Sequence, residues 1–363
     1  MVFINKNQFN PDYAVHPGEI LEETLQARSI SNRELASRSG LTEKHISQII
    51  HGKSSVTPDT AILLERILDV KAELWLKLDS DYRLFIQKKH EKEAWGVKTE
   101  WAKKFPTKEL MKRKFLPQTS DDLKIVDSLL SFFNIGTIEA WQRKYSEMEV
   151  QFRRSKAYTC SGESIAAWLA IGENIAKGVH TSPYDKAKFE NALTSIRPLT
   201  KENPASFERQ LVELCAAAGV VAVFVRELPG THTSGAAYWL GKEKAIIMLS
   251  LRHKTDDHFW FTFYHEAGHI LLHGNKGIIV DAEDLHGNEQ DDEANTFAAD
   301  FLVPRKEYDN FILSNPRIDE KLINQFAVRL GIAPGIVVGR LQKEGRLQFN
   351  WHNGLKRHFE LKD

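Results

Sequence analysis

Apolar positions recur at helical spacing through the first seventy residues, and polar caps punctuate them. HPGEILEETLQARS places Ile20, Leu21 and Leu25 on one side. Ser31 stands as an N-cap for NRELASRSG, with Glu34 in the capping-box position and Gly40 at the end. Thr42 caps TEKHISQIIHG, which Gly52 closes and in which Ile46, Ile49 and Ile50 fall at core spacing. Thr57 and Pro58 open the next helix, DTAILLERILDV. Two short helices about a glycine-containing turn make the helix-turn-helix pattern. Residues 71–200 keep a helical period, with breaks at Pro106, Pro117, Gly136, Gly162, Pro183 and Pro198.

From about residue 205 the pattern changes. SFERQLVELCAAAG reads as a helix and VVAVFVREL as a β-branched strand. SGAAYWLG and KAIIMLSLR read as two strands around a Gly-Lys-Glu-Lys turn. DDHFWFTFYHEAGHILLHG is a helix so aromatic that it is expected to be buried on most sides. DDEANTFAADFLVP is a second helix closed by Pro304, and DEKLINQFAVRLGIAPGIVVGRLQKEGRL is two more around a Gly-Ile-Ala-Pro turn. The expected fold is mainly α with a C-terminal α+β part. It comprises a helix-turn-helix domain over 1–90, a helical middle over 91–200 and a third domain with a small sheet over 201–363.

Composition narrows the function. The chain has 363 residues, with 49 basic and 49 acidic side chains. A zero balance excludes a protein that coats nucleic acid by bulk attraction. Fewer than 18 apolar residues run together anywhere, so no membrane span is expected. The opening MVFINKNQFNPDYAVHPGE has the form of no secretory signal, and two cysteines, Cys160 and Cys215, point to a reducing cytoplasm and to small hydrophobes rather than a disulfide. Charge is uneven beneath the zero. Residues 1–90 are neutral, Lys98–Lys114 holds seven basic residues, and Asp281–Asp300 holds eight acidic ones. The basic run is expected to be a solvated helix. Six of fourteen histidines fall between His253 and His286, beside those acids, as a metal site requires.

Two stretches carry chemistry. A recognition helix presents its N-terminal residues to base edges in the major groove. Here that helix spans Thr42–His51, and its outward residues are Thr42, Glu43, Lys44, Ser47 and Gln48. Gln48 suits adenine, Lys44 suits guanine or phosphate, and Lys53 suits phosphate. The other stretch is HEAGH, residues 265–269. One helical turn sets His265 and His269 on the same side to share a zinc ion, and Glu266 is placed to take a proton from water. His273 lies about 12 Å along the axis from His265, so it is expected beside the metal and not on it. A carboxylate from the next helix must complete the set. Glu289, Asp291, Asp292 and Glu293 precede its apolar run. Glu293 shares a face with Phe297 and Asp300 and is the expected third ligand, with Asp292 and Glu289 as alternatives. Asp300 is expected to orient a ligand imidazole. Tyr238 and His232 are weaker candidates for oxyanion contacts. The hairpin offers an edge for an added peptide strand.

These strings also carry resemblances. HPGEIL, the IxxIIxGK stretch and TPDTA, followed by AELWLKLDSDYRL, resemble lambda-repressor-like (XRE) helix-turn-helix domains of the HigA antitoxin type over residues 16–85. That resemblance implies a five-helix domain binding a palindromic double-stranded operator as a homodimer, with a toxin among its partners. SGAAYWL, the HEAGH helix, EANTFAADFLVP and GIAPGIVVGRLQ resemble the ImmA/IrrE metallopeptidases over roughly 160–350. That implies a zincin-like, gluzincin-type domain with zinc on His265, His269 and Glu293 and with Glu266 catalytic. It also implies a regulatory protein, such as a repressor, as substrate. The competing expectation is a DNA-binding antitoxin or repressor whose peptidase-like domain senses or binds and cleaves nothing.

Overall fold

Five helices, the first four of them side-chain capped, build the first of two units, Met1–Val97 and Lys98–Asp363, into which the chain divides. The computed structural model describes residues 13–93, 98–145, 161–274, 279–282 and 289–360. Cys160 and His286 lie outside the described residues, as does the 283–288 part of the acidic run. In the first unit the helices are α1 (Pro17–Ala27), α2 (Asn32–Ser39), α3 (Glu43–Ile50), α4 (Pro58–Leu68) and α5 (Ala72–Glu93). The expected caps hold: Ser31 Oγ accepts from Glu34 N at 3.2 Å, Thr42 Oγ1 from His45 N at 3.1 Å, and Thr57 Oγ1 from Thr60 N at 3.3 Å. Glu34 turns its carboxylate to Arg38, one turn on.

α1 starts with a cap outside the usual residue set. The His16 ring Nδ1 accepts from Gly18 N at 2.9 Å. A Cβ on Gly18 would come 2.3 Å from the Ile50 carbonyl oxygen, so glycine lets α1 touch the last turn of α3. Leu21, Leu25, Leu35, Ile46, Ile49, Leu64, Leu68 and Trp75 close the core. Buried Asp79 on α5 accepts from Val56 N at 3.2 Å and from Arg83 Nε at 2.7 Å, fastening the chain between α3 and α4.

The second unit opens with α6 (Lys98–Ala102), α7 (Thr107–Lys112), α8 (Asp122–Phe132) and α9 (138–145). Trp101, Phe105, Phe133 and Trp141 pack as an aromatic cluster, largely edge to face, with ring centroids 4.8 to 5.9 Å apart. Within the basic run, Arg113 donates to the carbonyls of Arg226 at 2.7 Å and Glu227 at 2.9 Å, so it is structural. Gly162 opens α10 (Gly162–Lys177) under a Ser161 cap, where a break was expected. Trp168 of α10 donates to the Val225 carbonyl at 2.9 Å, and Asn174 to the Phe132 carbonyl at 2.9 Å. From Lys98 onward, the residues read as a helical middle therefore lie in one unit with the sheet.

After α11 (Lys186–Ile196) and α12 (Pro204–Ala217) come β1 (Val220–Phe224), β2 (Thr233–Trp239), β3 (Ala245–Leu249), α13 (Asp256–His273), β4 (Ile279–Ala282) and α14 (Glu289–Leu302). The last three helices are α15 (Arg305–Ser314), α16 (Glu320–Leu330) and α17 (Pro334–Lys343). Sheet order is β1-β3-β2-β4, with β1 parallel to β3 and the other pairs antiparallel. The hairpin forms as expected, but β4 pairs with β2, so β2 has a neighbour on both sides and offers no free edge. β4 is only four residues, too short to show a strand period. Cys215 is buried, and burial pushes its thiol up.

α13 is nearly all interior, and its Phe259, Trp260, Phe263 and Tyr264 pack into the main core. Its first two residues are buried acids. Arg357 Nε lies 3.2 Å from Asp256, and Lys356 Nζ lies 2.6 Å from Asp257. Gly335 and Gly339 of α17 leave room for the two carboxylates, where a Cβ would come within 2.4 and 2.6 Å. Ile336, Val337, Val338 and Leu341 of α17 are buried, so the terminal helix pair is core packing, as its apolar face suggests. Among the described residues, no single helix is long and apolar enough to cross a membrane. α16 and α17 pass that test only as a pair bent by 113°.

Burial pushes the Asp256 carboxyl up from its ordinary range against the pull of Arg357. Removing the guanidinium leaves a buried acid short of its counter-charge. Arg357→Ala should therefore cost about 2–3 kcal/mol in urea unfolding. A loss below about 0.5 kcal/mol would contradict a buried pair that anchors α13.

Candidate functional site

His265 and His269 sit one turn apart on α13, both buried, with their Nε2 atoms 2.9 Å from each other. The His265 Nδ1–H donates to Asn295 Oδ1 on α14 at 3.0 Å, which leaves the Nε2 lone pair facing His269. His269 Nδ1 is buried with no hydrogen-bond partner among the described residues. Burial first, then the neighbouring His265 and His273, hold the His269 pKa down at about 3, so its ring is neutral at pH 7, the form that ligates a metal.

The carboxylate that lies with the pair is Asp291. Its Oδ1 lies 3.4 Å from His269 Nε2, and ligand atoms of His265, His269 and Asp291 fall within 4.8 Å of one another. Two neutral imidazoles and one carboxylate oxygen form the donor set of a hydrolytic zinc site, so these residues fit the ion.

Glu293 is not brought to the pair. Its carboxylate lies 3.6 Å from His273 Nδ1, and its side chain is 56% exposed. The phase of α14 explains the difference. Ala294, Ala298 and Leu302 are its buried stripe, which puts Asp291 and Asn295 toward α13 and leaves Glu293 at the flank. Glu289 and Asp292 are exposed. Asp300 does not orient an imidazole; it accepts from Arg340 at 3.1 Å. Asn295 has that part, and only its place four residues after Asp291 could have marked it. His273 is not among the three residues that converge. Its Nε2–H donates to the Gln290 carbonyl at 3.1 Å and fastens the first turn of α14 beside Asp291.

Glu266 is fully buried on the β2 side of α13. A Cβ on Gly235 would come 2.4 Å from Glu266 Oε1 and 2.7 Å from Thr262 Cγ2, so glycine on β2 is what admits the carboxylate. Tyr238 is committed elsewhere: its hydroxyl donates to the Leu169 carbonyl at 3.1 Å in the interior. His232 has φ of 45°, and its carbonyl accepts from Arg252 at 2.7 Å.

On the first unit, Ile46 and Ile49 of α3 face the core, and Ile50 is half-buried. Thr42, Glu43, Lys44 and Lys53 are exposed, and Ser47 and Gln48 are half-buried. Lys53 N and Ser54 N both donate to the Gln48 carbonyl, at 2.7 and 3.1 Å, closing the turn after α3.

Comparison with known proteins places a family domain in each unit. Residues 21–75 match the family model described as Helix-turn-helix, and residues 216–342 match the IrrE N-terminal-like domain of a peptidase family. The chain is 31% identical over 68 residues to the uncharacterized HTH-type transcriptional regulator YddM of Escherichia coli (strain K12), covering 19% of this chain and 72% of that protein. It is 36% identical over 72 residues to virulence-associated protein I of Dichelobacter nodosus, covering 20% of this chain and 67% of that protein. Among solved structures it is similar to the Pseudomonas aeruginosa antitoxin HigA with higBA promoter. That likeness is 29% identical with a TM-score of 0.22, covering 23% of this chain and 94% of that one.

Ligand assignment is testable by zinc titration against a competing chelator. Asp291→Ala should weaken zinc binding more than about a hundredfold, and Asn295→Ala by about 10- to 100-fold. Glu293→Ala should change it less than about threefold. The reverse order for Asp291 and Glu293 would return the third ligand to Glu293.

Proposed function

We propose that this chain, which belongs to the HTH-type transcriptional regulators through its helix-turn-helix domain and carries an IrrE N-terminal-like domain after it, binds an operator and hydrolyses a regulatory protein at a zinc centre. The observation that supports the catalytic half is the convergence of His265, His269 and Asp291 with the Glu266 carboxylate buried on the adjoining side of the same helix. The substrate is a protein, in the first place a partner repressor or a component of a toxin system. The DNA-binding half acts as a homodimer on a palindromic duplex. Both halves work in the cytoplasm.

Zinc held by the three residues would supply Lewis-acid polarisation of a peptide carbonyl and lower the pKa of water. The chain's own groups do the rest. Glu266 takes the proton of the attacking water on its carboxylate and delivers it to the departing amine nitrogen. Asn295 fixes the ring of His265 through Nδ1, so that Nε2 keeps its lone pair for the ion. His273 holds the start of α14, which carries Asp291. Gly235 leaves the space that Glu266 occupies.

On the DNA side, the balanced charge of residues 1–90 has little bulk attraction to offer, so specificity rests on a few side chains of α3. Lys44 and Gln48 are the base readers, with Thr42, Glu43 and Ser47 around them and Lys53 on phosphate.

Glu266→Gln tests the enzyme. With folding and zinc content unchanged, it should lower cleavage of the target protein by at least about a hundredfold and abolish the regulatory output. Regulation that survives the substitution would leave a DNA-binding regulator whose second unit senses or binds. Lys44→Ala with Gln48→Ala tests the reader. Affinity for the preferred operator should fall about 10- to 100-fold while binding to unrelated duplex is nearly unchanged. Wild-type protein that binds all duplexes alike would refute specificity.

A further inference from the structure

A protein that reads duplex DNA draws its sequence-independent affinity from lysines and arginines on phosphate. Residues 1–90 hold no surplus of them, with 12 basic and 12 acidic side chains. The surplus comes next in the chain, where Lys98–Lys114 sets seven basic residues against two acids, Glu100 and Glu109. Both acids are taken from within. Glu100 lies 2.6 Å from Lys103, and Glu109 lies 2.7 Å from Arg113 and 3.8 Å from Lys112. Acids of the following helices serve other cations: Asp121 and Asp122 face Lys124 and Lys103, and Glu139 faces Lys98 and Arg143. Lys104, Lys108 and Lys114 have no ion pair among the described residues, and all three are exposed, as is Lys112. The backbone beneath them is fixed. Leu110 and Met111 bury the inner side of α7, and Arg113 bolts its end to the carbonyls of Arg226 and Glu227. Lys114 holds a left-handed turn, φ 63°, that glycine or asparagine fits better, so this charge stands against backbone preference.

We propose that Lys104, Lys108, Lys112 and Lys114 form a phosphate grip, by which the second unit holds duplex DNA flanking the operator that the first unit reads. This rests on the DNA-binding reading and adds a second, sequence-independent surface to it. Lys108 and Lys112 stand one turn apart on α7, about 6 Å along the axis, and present their charge to the same side. A lysine ammonium is a point charge that meets phosphate oxygens without reading a base. The surface suits a duplex and not a single strand. Trp101 and Phe105 are buried and Phe115 packs on Phe132 with centroids 6.3 Å apart, so no open ring is offered for an unpaired base to stack on. In sequence only residues 94–97 part α5 from α6, and so short a tether keeps the reader and the grip at high local concentration on one DNA molecule. The first unit then supplies sequence preference with few charges, and the second supplies the attraction that the first lacks.

Fluorescence anisotropy of the full-length chain on two duplexes tests the grip. One probe is a site of about 20 base pairs that the protein selects from a random pool, with about 15 base pairs of arbitrary flank on each side. The other is a scrambled duplex of the same length. Replacing all four lysines by glutamine should weaken binding to both probes equally, by at least about tenfold near 0.1 M salt. In that variant the slope of log Kd against log salt should flatten by about 2–4, and the ratio between the two probes should stay as in the wild type. Lys108→Gln with Lys112→Gln alone should give about half of the change in slope. Lys103→Gln with Lys124→Gln, which removes two paired lysines, should leave affinity within about twofold. Wild-type affinity and slope in the fourfold variant overturn the grip. So does a loss confined to the selected site, or a loss confined to cleavage of a protein target, which would assign the surface to that protein. A wild-type chain that binds both probes alike, and whose fourfold variant loses affinity and slope, upholds the grip and overturns operator reading.

Discussion

The close approach of α13 and α14 is the constraint on which the rest of the second unit turns. It depends on Gly268, where a Cβ would come 3.0 Å from Phe297 Cδ1 and 3.3 Å from Ala294 Cα. With no side chain at that point, the two helices can pack backbone to side chain. The contact sets Asn295 against the His265 ring, Asp291 beside His269, and Gln290 under His273. Each polar contact is modest alone. Together they hold the His265 ring with its Nε2 toward the shared point and set Asp291 beside His269, which is how a protein pre-orients ligands before a metal arrives. β2 makes the matching concession on the other side, where Gly235 admits Glu266. Two glycines thus position most of the proposed chemistry.

Much of this was legible in the sequence. Polar caps at Ser31, Thr42 and Thr57 bounded the helices of the first unit, because a side-chain oxygen three residues ahead of an orphan amide is a local signal. HEAGH placed two imidazoles side by side by helix period alone, and the rise per residue separated His273 from His265. The carboxylate that joins them was not legible in the same way. Reading α14 by its largest apolar residues turns Phe297 inward and takes Glu293 with it. The structure turns Ala294 and Ala298 fully inward instead, because helices this close favour small residues between them, while Phe297 and Phe301 stay partly buried, with the Phe297 ring over Gly268. That rotation exchanges Glu293 for Asp291. It also frees Asp300 for Arg340 and gives the orienting contact to Asn295. The signal was present in Gly268, but its meaning depended on which helix would come to rest on it.

β4 and the unity of residues after Lys98 were hidden for a different reason. Four residues are too few to carry a period, and helices that dock on a sheet look in sequence like helices that stand apart. What joins them here is a set of long-range contacts, such as Trp168 to the Val225 carbonyl and Arg113 to the carbonyls of residues 226 and 227. The even charge of the chain conceals a similar division of labour. The first unit exposes a short helix with few charges, and the acidic first turn of α14 sets Asp291 beside His269.

The proposed chemistry needs a zinc ion held by His265, His269 and Asp291. Zinc K-edge X-ray absorption on the purified full-length chain reads that coordination directly. The expected result is one zinc per chain, with two imidazole nitrogens and the remaining donors oxygen, at about 2.0–2.1 Å. A spectrum with sulfur donors, with three or more imidazoles, or a chain that takes up no zinc would contradict it.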